Sequence, residues 1–213
     1  MNFNDFKHLA SKIQNLELPG EEAHFKMSPL VRIAQLKSVK LSERDPRIAA
    51  VMALCYPSEN NLATLLLILR KTYQGVHSNQ VGFPGGKAEV FDKDLLATAF
   101  RETHEEVGVE SHSVTVVKSL SQVYIPPSNF IVQPFLGFSD HKPQFIIQES
   151  EVEKLIEVPV SMLLDPSNVV SEIMHTSYAE NIEVPTYNLS GYSVWGATAM
   201  MLSEIKELVI KAM

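Results

Sequence analysis

Three glutamates lie close together in the middle of the chain, at Glu102, Glu105 and Glu106. A helix turns through roughly 100° per residue, so in a helix their three carboxylates share one face. Like charges at this spacing destabilise a helix by a few tenths of a kcal/mol per pair, that is about 0.2–0.5. Mg²⁺ and Mn²⁺ prefer oxygen ligands and would reverse the sign of that interaction. The spacing therefore indicates a metal site, and a solvated acidic face is the alternative.

The residues around the glutamates favour the metal site. Arg101 precedes Glu105 by four residues, so its guanidinium can form an ion pair with that carboxylate. A Pro-Gly-Gly turn stands upstream, at Pro84 to Gly86. The opposite side of the same helix is predicted to face a core through the following residues: Leu96, Phe100, Thr103 and Val107.

The stretch from Phe83 to Val109 resembles the Nudix box, a family pattern written G-x5-E-x7-R-E-U-x-E-E-x-G-U, where U is aliphatic. Gly86 takes the first place, and the later places are matched by Arg101, Glu102, Glu105, Glu106, Gly108 and Val109. The first acidic place holds Asp92, which eight residues instead of seven separate from Arg101, and a U place holds Thr103. The extra residue is similar to the coenzyme A pyrophosphatase branch of the family.

This resemblance implies a fold class and a chemistry. The fold is α/β, a Nudix-type α/β/α sandwich with a mixed sheet and an N-terminal helical extension. The chemistry is hydrolysis of a nucleoside diphosphate linked to another group, with Mg²⁺ or Mn²⁺ as the cofactor. Metal ligands are implied at Glu102, Glu106, Glu105 and the Gly86 carbonyl. Arg101 orients the glutamates.

The general base is left open between two carboxylates. Glu105 is one. The other comes from a second acidic cluster in the segment 146–158, where the resemblance points to Glu151, with Glu149 second. A solvated loop is the alternative explanation of this second cluster.

The prediction of substrate-binding residues is based on a further sequence signature of the coenzyme A branch, which ends in Phe-Pro-Gly-Gly. The chain keeps Phe83 to Gly86 but departs upstream, with Lys71, Gly75 and Asn79 where Ser, Arg and Gly are expected. Arg70 or Lys71 could replace the missing arginine. The predicted substrate-binding residues are Arg70, Lys71, His77 and Phe83.

Composition limits the possible partners. The formal net charge of −7 over 213 residues argues against a general nucleic-acid surface. It also means that bound metal and local Arg or Lys must attract an anionic substrate. We expect a small-molecule nucleotide or coenzyme A as the partner, and a homodimer is left open. Cys55 is the single cysteine and is predicted to be a buried strand residue.

The expected cellular location is based on two kinds of segment, a secretory signal and a membrane span, that the sequence does not indicate. Charged residues such as Asp5 and Lys7 interrupt the first twenty residues, so no secretory signal is predicted. The longest apolar run, at 62–69, is much shorter than the roughly 20 residues that span a bilayer. The expected location is the cytoplasm, without a membrane partner.

The chain is predicted to divide into an N-terminal helix and extended arm (1–45) and a Nudix domain (46–213). The predicted elements are a helix over 2–16, a possible strand hairpin over 48–56 and 62–70, strands over 113–123 and 129–138, a short helix over 161–165, strand-like pieces around 169–174 and 182–187, and a closing helix that opens at Trp195. Pro134 predicts an edge strand or a bulge. Trp195 is interpreted as a core anchor, not as a base-stacking residue.

Three functions compete. The first is hydrolysis of coenzyme A or an acyl-coenzyme A to 3′,5′-ADP and 4′-phosphopantetheine. The second is hydrolysis of another diphosphate, such as ADP-ribose, NADH or a modified nucleoside triphosphate, which the altered upstream signature favours. The third is a regulatory module that binds a nucleotide without hydrolysing it, and the complete set of glutamates argues against it.

Overall fold

A computed structural model describes residues 1–72, 79–175 and 180–213 of the chain. The α-helices in these ranges are α1 (Phe3–Ile13), α2 (Glu21–Phe25), α3 (Leu30–Ser38), α4 (Leu95–Val107), α5 (Val160–Leu164) and α6 (Gly196–Ala212). The strands are β1 (Arg47–Pro57), β2 (Ala63–Arg70), β3 (Val81–Gly82), β4 (Gly85–Lys87), β5 (Thr115–Ser119), β6 (Val123–Ile125), β7 (Phe130–Phe138), β8 (Val152–Pro159), β9 (Val169–Met174), β10 (Ile182–Leu189) and β11 (Tyr192–Val194).

Within the described ranges, eight strands form one mixed sheet and β9, β10 and β11 form a second, antiparallel sheet. In the large sheet, β1 pairs in parallel with β7, while β2 pairs antiparallel with β1 and β8. This architecture confirms the predicted α/β class with a mixed sheet.

The feature that positions the site is a split between β1 and β2. These strands pair directly only beside their turn, where Cys55 lies opposite Leu65. Farther from the turn, β4 pairs with β1 and β3 pairs with β2. The short segment 81–87 therefore occupies the gap between two diverging strands, and it carries the Pro-Gly-Gly turn into the middle of the sheet.

The sheet is covered on both faces because β1 is apolar on both. Side chains alternate between the faces of a strand, so Val51 and Ala53 pack into one core and Met52 and Leu54 into the other. The first core includes residues of α1 and α6, and the second includes residues of α4. Among the helices of the described ranges, only α4 contributes to the second core, on the face opposite α1 and α6.

Most predicted elements are found where the sequence indicates them. Helix α1 buries Phe3, Phe6, Leu9 and Ile13 at helical spacing. The hairpin of β1 and β2 is confirmed, and so is the buried position of Cys55 in a strand. The pieces around 169–174 and 182–187 are paired antiparallel strands.

Three expectations are wrong in detail. The arm over 17–45 contains helices α2 and α3 and is not simply extended. The strand over 113–123 is divided into β5 and β6. Pro134 lies in the interior strand β7, opposite Val51 of β1, and not at an edge. Its other side faces the break between β5 and β6, so the missing N–H interrupts little pairing.

Among the described residues, no helix combines the length and apolarity needed to cross a membrane.

Candidate active site

Helix α4 has well-defined ends that fix which glutamates face the sheet. At its start the Asp94 side chain accepts a hydrogen bond from the Ala97 N–H at 2.7 Å, an N-cap interaction. At its end Gly108 adopts a left-handed conformation with φ 74°, which ends a helix at little cost in glycine. Thr103, at the usually aliphatic place, is buried and its hydroxyl donates to the Ala99 carbonyl at 2.6 Å.

Two glutamates of α4 meet the two glycines of the turn. The Gly85 N–H donates to Glu106 Oε2 at 2.8 Å. A Cβ added to Gly86 would lie 2.4 Å from Glu102 Oε2, so this carboxylate packs directly on the glycine. Two carboxylates one helical turn apart thus lie against one dipeptide, and the absence of a side chain at Gly86 makes the approach possible.

Glu106 is fully buried, contrary to a shared solvent face for all three glutamates. The Arg70 guanidinium donates to Glu106 Oε1 at 2.9 Å and to the Gly85 carbonyl at 2.8 Å. Burial, together with the negative charges of Glu102 and Glu151, raises the pKa of Glu106 to about 7 against the attraction of Arg70. A group with this pKa is poised to lose its proton when positive charge arrives.

Arg101 binds four different residues. Its Nε and Nη2 each donate to Asp92 at 3.0 Å, and its Nη1 donates to Glu102 at 2.8 Å and to Glu105 at 3.0 Å. Nη2 also donates to the Lys87 carbonyl at 3.0 Å. This guanidinium lowers the pKa of Asp92 well below its usual range. The predicted pair with Glu105 is confirmed, and Asp92 is the bidentate partner that anchors the arginine.

The remaining carboxylates differ in exposure. Burial raises the pKa of Glu102, partly offset by Arg101, and the charges of Glu105 and Glu151 raise it further. Glu105 is 57% exposed and bound to Arg101. Glu151 is exposed at the start of β8, yet it lies close enough to act on both Glu102 and Glu106. The structure therefore brings Glu151 to the glutamate pair from another element.

The oxygen donors suit a hard divalent cation. Glu102 and Glu106 repel each other, and the Gly86 backbone lies against Glu102. In the part of the chain that is described, no three acidic, histidine or cysteine side chains lie close enough to hold an ion by themselves. Mg²⁺ is commonly held by only one or two carboxylates and keeps several waters, so the pair fits such an ion.

A cavity of about 250 Å³ opens beside the glycine turn. Its lining includes the following polar side chains and turn residues: Arg32, Arg70, Gln80, Gly85, Gly86, Lys87 and Thr198. The apolar and small residues of the lining are Ala49, Val51, Ile125, Pro127, Phe130, Val132, Trp195, Gly196, Ala197 and Met201. The glutamate pair and the cavity thus share the same turn.

The predicted substrate-binding residues have different positions. Arg70 lines the cavity, but its guanidinium is bound to Glu106 and Gly85. Lys71 lies outside the cavity lining and its Nζ pairs with Glu153 at 2.6 Å. Phe83 is only 1% exposed, so its ring belongs to the core under the cavity. His77 lies outside the described residues.

Sequence reasoning missed or misplaced three features of the site. Asp92 was matched to the box without a partner, although its spacing from Arg101 was visible. The burial of Glu106 was missed, although the predicted core side of α4 is confirmed: Val107 is buried, and the half-buried Leu96 and Phe100 pack against the same core. Trp195 is not a core anchor: it is half-buried and lines the cavity. Helical periodicity could not predict that Trp195 lines the cavity, because this residue lies before the first turn of α6.

Comparison with known proteins gives consistent results. The NUDIX domain family matches residues 46–174. A protein named uncharacterized Nudix hydrolase NudL from Yersinia pestis (strain Pestoides F) is 34% identical over 168 residues, which cover 76% of this chain and 80% of that protein. The NudL protein of Yersinia pseudotuberculosis serotype O:1b has the same identity and coverage.

Two solved structures share the fold. A MutT/nudix family protein from Enterococcus faecalis superposes with a TM-score of 0.54 at 18% identity, covering 92% of this chain and 76% of that one. The Nudix hydrolase RenU from M. smegmatis has a TM-score of 0.53 at 16% identity, covering 78% of this chain and 87% of that one. At these identities the likeness concerns the fold alone.

Proposed function

Since the chain belongs to the Nudix family and is therefore a hydrolase that acts on diphosphate bonds, we propose that its substrate is coenzyme A or an acyl-coenzyme A. Water would attack one phosphorus of the diphosphate, and the bridging P–O bond would break. The products would be 3′,5′-ADP and 4′-phosphopantetheine, with the acyl group retained on the latter.

The observation that carries the hydrolytic part of this proposal is the pair of carboxylates against the glycine turn. Glu106 accepts from the Gly85 N–H, and Glu102 packs on Gly86. We assign these two glutamates and the Gly86 carbonyl to one or more Mg²⁺ or Mn²⁺ ions, with Glu105 as a further ligand. When bound, the ions supply positive charge for the diphosphate and make a water more acidic.

Arg101 acts as a positioning residue in this proposal. Its guanidinium is held by Asp92 and in turn holds Glu102 and Glu105, so it fixes two carboxylates relative to each other. The guanidinium of Arg70 holds the Glu106 carboxylate in the same way, through an ion pair. Both arginines keep the glutamates oriented against their mutual repulsion.

Glu151 is the favoured general base, with Glu105 second. The charge of Glu151 acts on both Glu102 and Glu106, which supports its assignment as the base. The Glu105 carboxylate is already bound to the Arg101 guanidinium, so its lone pairs are less available to a proton.

The choice of coenzyme A is supported by sequence features: the Phe83 to Gly86 motif, and the extra residue between Asp92 and Arg101. One observation favours another diphosphate, such as ADP-ribose, NADH or a modified nucleotide. The basic residues that could replace the missing arginine are engaged elsewhere, Arg70 with Glu106 and Lys71 with Glu153.

Hydrolysis of a substrate panel tests the choice. Purified protein is incubated with coenzyme A, acetyl-coenzyme A, ADP-ribose, NADH and 8-oxo-dGTP in Mg²⁺ or Mn²⁺, and the products are identified by mass spectrometry. We expect the highest kcat/KM for the two coenzyme A compounds, with 3′,5′-ADP as the shared product.

Two other results would overturn the proposal in different ways. Faster cleavage of ADP-ribose, NADH or 8-oxo-dGTP would keep the hydrolase and reject its substrate. Cleavage of coenzyme A at the thiol end, without release of 3′,5′-ADP, would reject the diphosphate as the bond that is broken.

A further inference from the structure

Trp195 contributes its indole ring to the lining of the cavity beside the glycine turn. It is the residue before α6, it is half-buried, and it lines the same cavity as Gly85 and Gly86. An indole that is left half-exposed in a cavity wall offers a flat apolar surface to whatever enters.

Small residues beside the indole leave room for a flat group. A Cβ built on Gly196 would meet nothing within 4 Å, and one built on Gly82 would meet its nearest atoms only at 3.8 Å. Ala197 adds no bulk beyond its methyl group. The space next to Trp195 is therefore open on the side of Gly196.

The size and lining of the cavity indicate which part of a substrate it can hold. Sites for whole drug-sized ligands measure roughly 300–1,000 Å³, so about 250 Å³ suits one half of a dinucleotide-like molecule. The lining is mostly apolar, with Ile125, Pro127 and Phe130, and it also includes the polar residues Arg32, Gln80 and Thr198. A nucleobase has two flat apolar faces and keeps its polar atoms on its edge, so one face can pack on the indole. A pantetheine arm is a flexible chain without a flat face.

We propose that Trp195 is a specificity-determining residue that stacks on the nucleobase of the substrate, with the diphosphate held at the Gly85–Gly86 end of the same cavity. This inference rests on the proposed function, since it assigns the nucleoside half of the diphosphate substrate to this cavity. Stacking acts on the face of a base, so the site discriminates weakly between different bases.

Fluorescence gives a direct test because Trp195 is the only tryptophan in the chain. The protein is titrated with AMP and 3′,5′-ADP, and with ribose 5-phosphate and 4′-phosphopantetheine as matched phosphates without a base. None of these compounds contains a diphosphate, so hydrolysis cannot interfere. We expect saturable quenching by the two nucleotides and no saturable change with the other two phosphates.

Two variants at the same position separate stacking from folding. Trp195→Phe keeps an aromatic face, whereas Trp195→Leu keeps only apolar bulk. Circular dichroism and thermal unfolding establish that both are folded. For the leucine variant we expect KM to rise about 5- to 150-fold with kcat within a few-fold of the parent, and for phenylalanine a much smaller rise.

The outcomes separate this inference from the proposed function. If AMP quenches while no diphosphate is cleaved, the base subsite stands and the proposed reaction falls. If coenzyme A is cleaved but 4′-phosphopantetheine quenches and the nucleotides do not, the cavity holds the other half and the inference is overturned. An unchanged KM in folded Trp195→Leu would overturn it as well.

Discussion

At the scale of single residues, the acidic cluster consists of carboxylates with different environments. Glu106 is fully buried and bound by Arg70, whereas Glu105 is 57% exposed and bound by Arg101. Asp92, outside the helix, is the residue that anchors Arg101. A helical wheel does not distinguish the burial of these glutamates. It gives the angle of each side chain around the helix axis, but it does not show which other elements pack against that side chain.

Glu106 gives the metal-free protein a specific dependence on pH. Its pKa is about 7 when folded, above the ordinary value of 4.5, so between these values the folded state retains a proton that the unfolded chain releases. The free energy of unfolding should therefore fall as pH rises from about 4.5 to 7, by on the order of 3 kcal/mol. Urea unfolding in EDTA at several pH values measures it.

Glu106→Gln is the control for that experiment. Glutamine keeps the shape but does not titrate, so the decline over this pH window should be reduced in the variant, whatever its constant offset in stability. An equal slope in parent and variant would show that another group causes the decline. Asp92 cannot produce the same effect, because its lowered pKa makes stability fall as pH drops below its usual range.

At the scale of elements, the site depends on the short segment 81–87 between β1 and β2. Gly85 has φ +148°, and a Cβ there would lie 2.3 Å from the Ala50 carbonyl oxygen and 2.6 Å from Val51 Cα. These are backbone atoms of a central strand and cannot yield easily. The glycine is thus required for the turn to enter the sheet at all.

Gly85→Ala should destabilise the protein more than Gly196→Ala. Both glycines have positive φ, but Gly196 has open space around an added Cβ. We expect about 1–2 kcal/mol for Gly196→Ala, from backbone strain alone. For Gly85→Ala we expect about 2–5 kcal/mol, since overpacking adds to the strain. Chemical denaturation of both variants makes the comparison, and equal losses would contradict it.

The sequence predicts strands and their turns well where the residue pattern is compatible with only one type of structure. The apolar runs of β1 and β2 flank a turn cluster, and their hairpin is confirmed. Pro134 misleads, because a proline inside a sheet normally indicates an edge. Here the break between β5 and β6 removes the partner that its N–H would need, and β7 is interior because it pairs with β1, which is far away in the chain.

At the scale of the whole molecule, the N-terminal helix is part of the main core. Phe3, Phe6 and Ile13 of α1 belong to the same buried cluster as Leu202 and Leu208 of α6. A second link lies nearby, where buried Glu204 of α6 accepts from Ser121 Oγ at 2.6 Å and from the Gly20 N–H at 3.2 Å. The boundary between 1–45 and 46–213 stays a prediction.

Phe6→Ala tests how the N-terminal segment is coupled to the rest. Phe6 is fully buried, so the truncation should cost about 3–5 kcal/mol. If α1 is part of one cooperative unit, unfolding remains a single transition shifted to lower denaturant when followed by circular dichroism and by Trp195 fluorescence. An early transition in one signal only would show that residues 1–45 unfold separately.

The cavity is the part of the site that the sequence predicts least. Its lining comes from α3, β1, β2, the 81–87 segment, β6, β7 and the start of α6, most of which are distant from one another along the chain. The box residues are local, so their spacing alone places them together. Trp195 joins them only through the tertiary packing of α6 against the sheet.

The central claim is that the Glu102 and Glu106 carboxylates, with a bound divalent ion, carry diphosphate hydrolysis. The most direct measurement is kcat for the best substrate in the parent protein, Glu106→Gln and Glu110→Gln, each verified as folded. Glu110 is a matched control, because it is exposed and lies beyond the end of α4.

We expect Glu106→Gln to lose at least about 10²–10³-fold in kcat, since the ion contributes several kcal/mol of charge stabilisation. Glu110→Gln should match the parent within a few-fold. A Glu106→Gln enzyme that keeps kcat within a few-fold of the parent would contradict the claim, and the glutamate pair would then be a structural feature of α4.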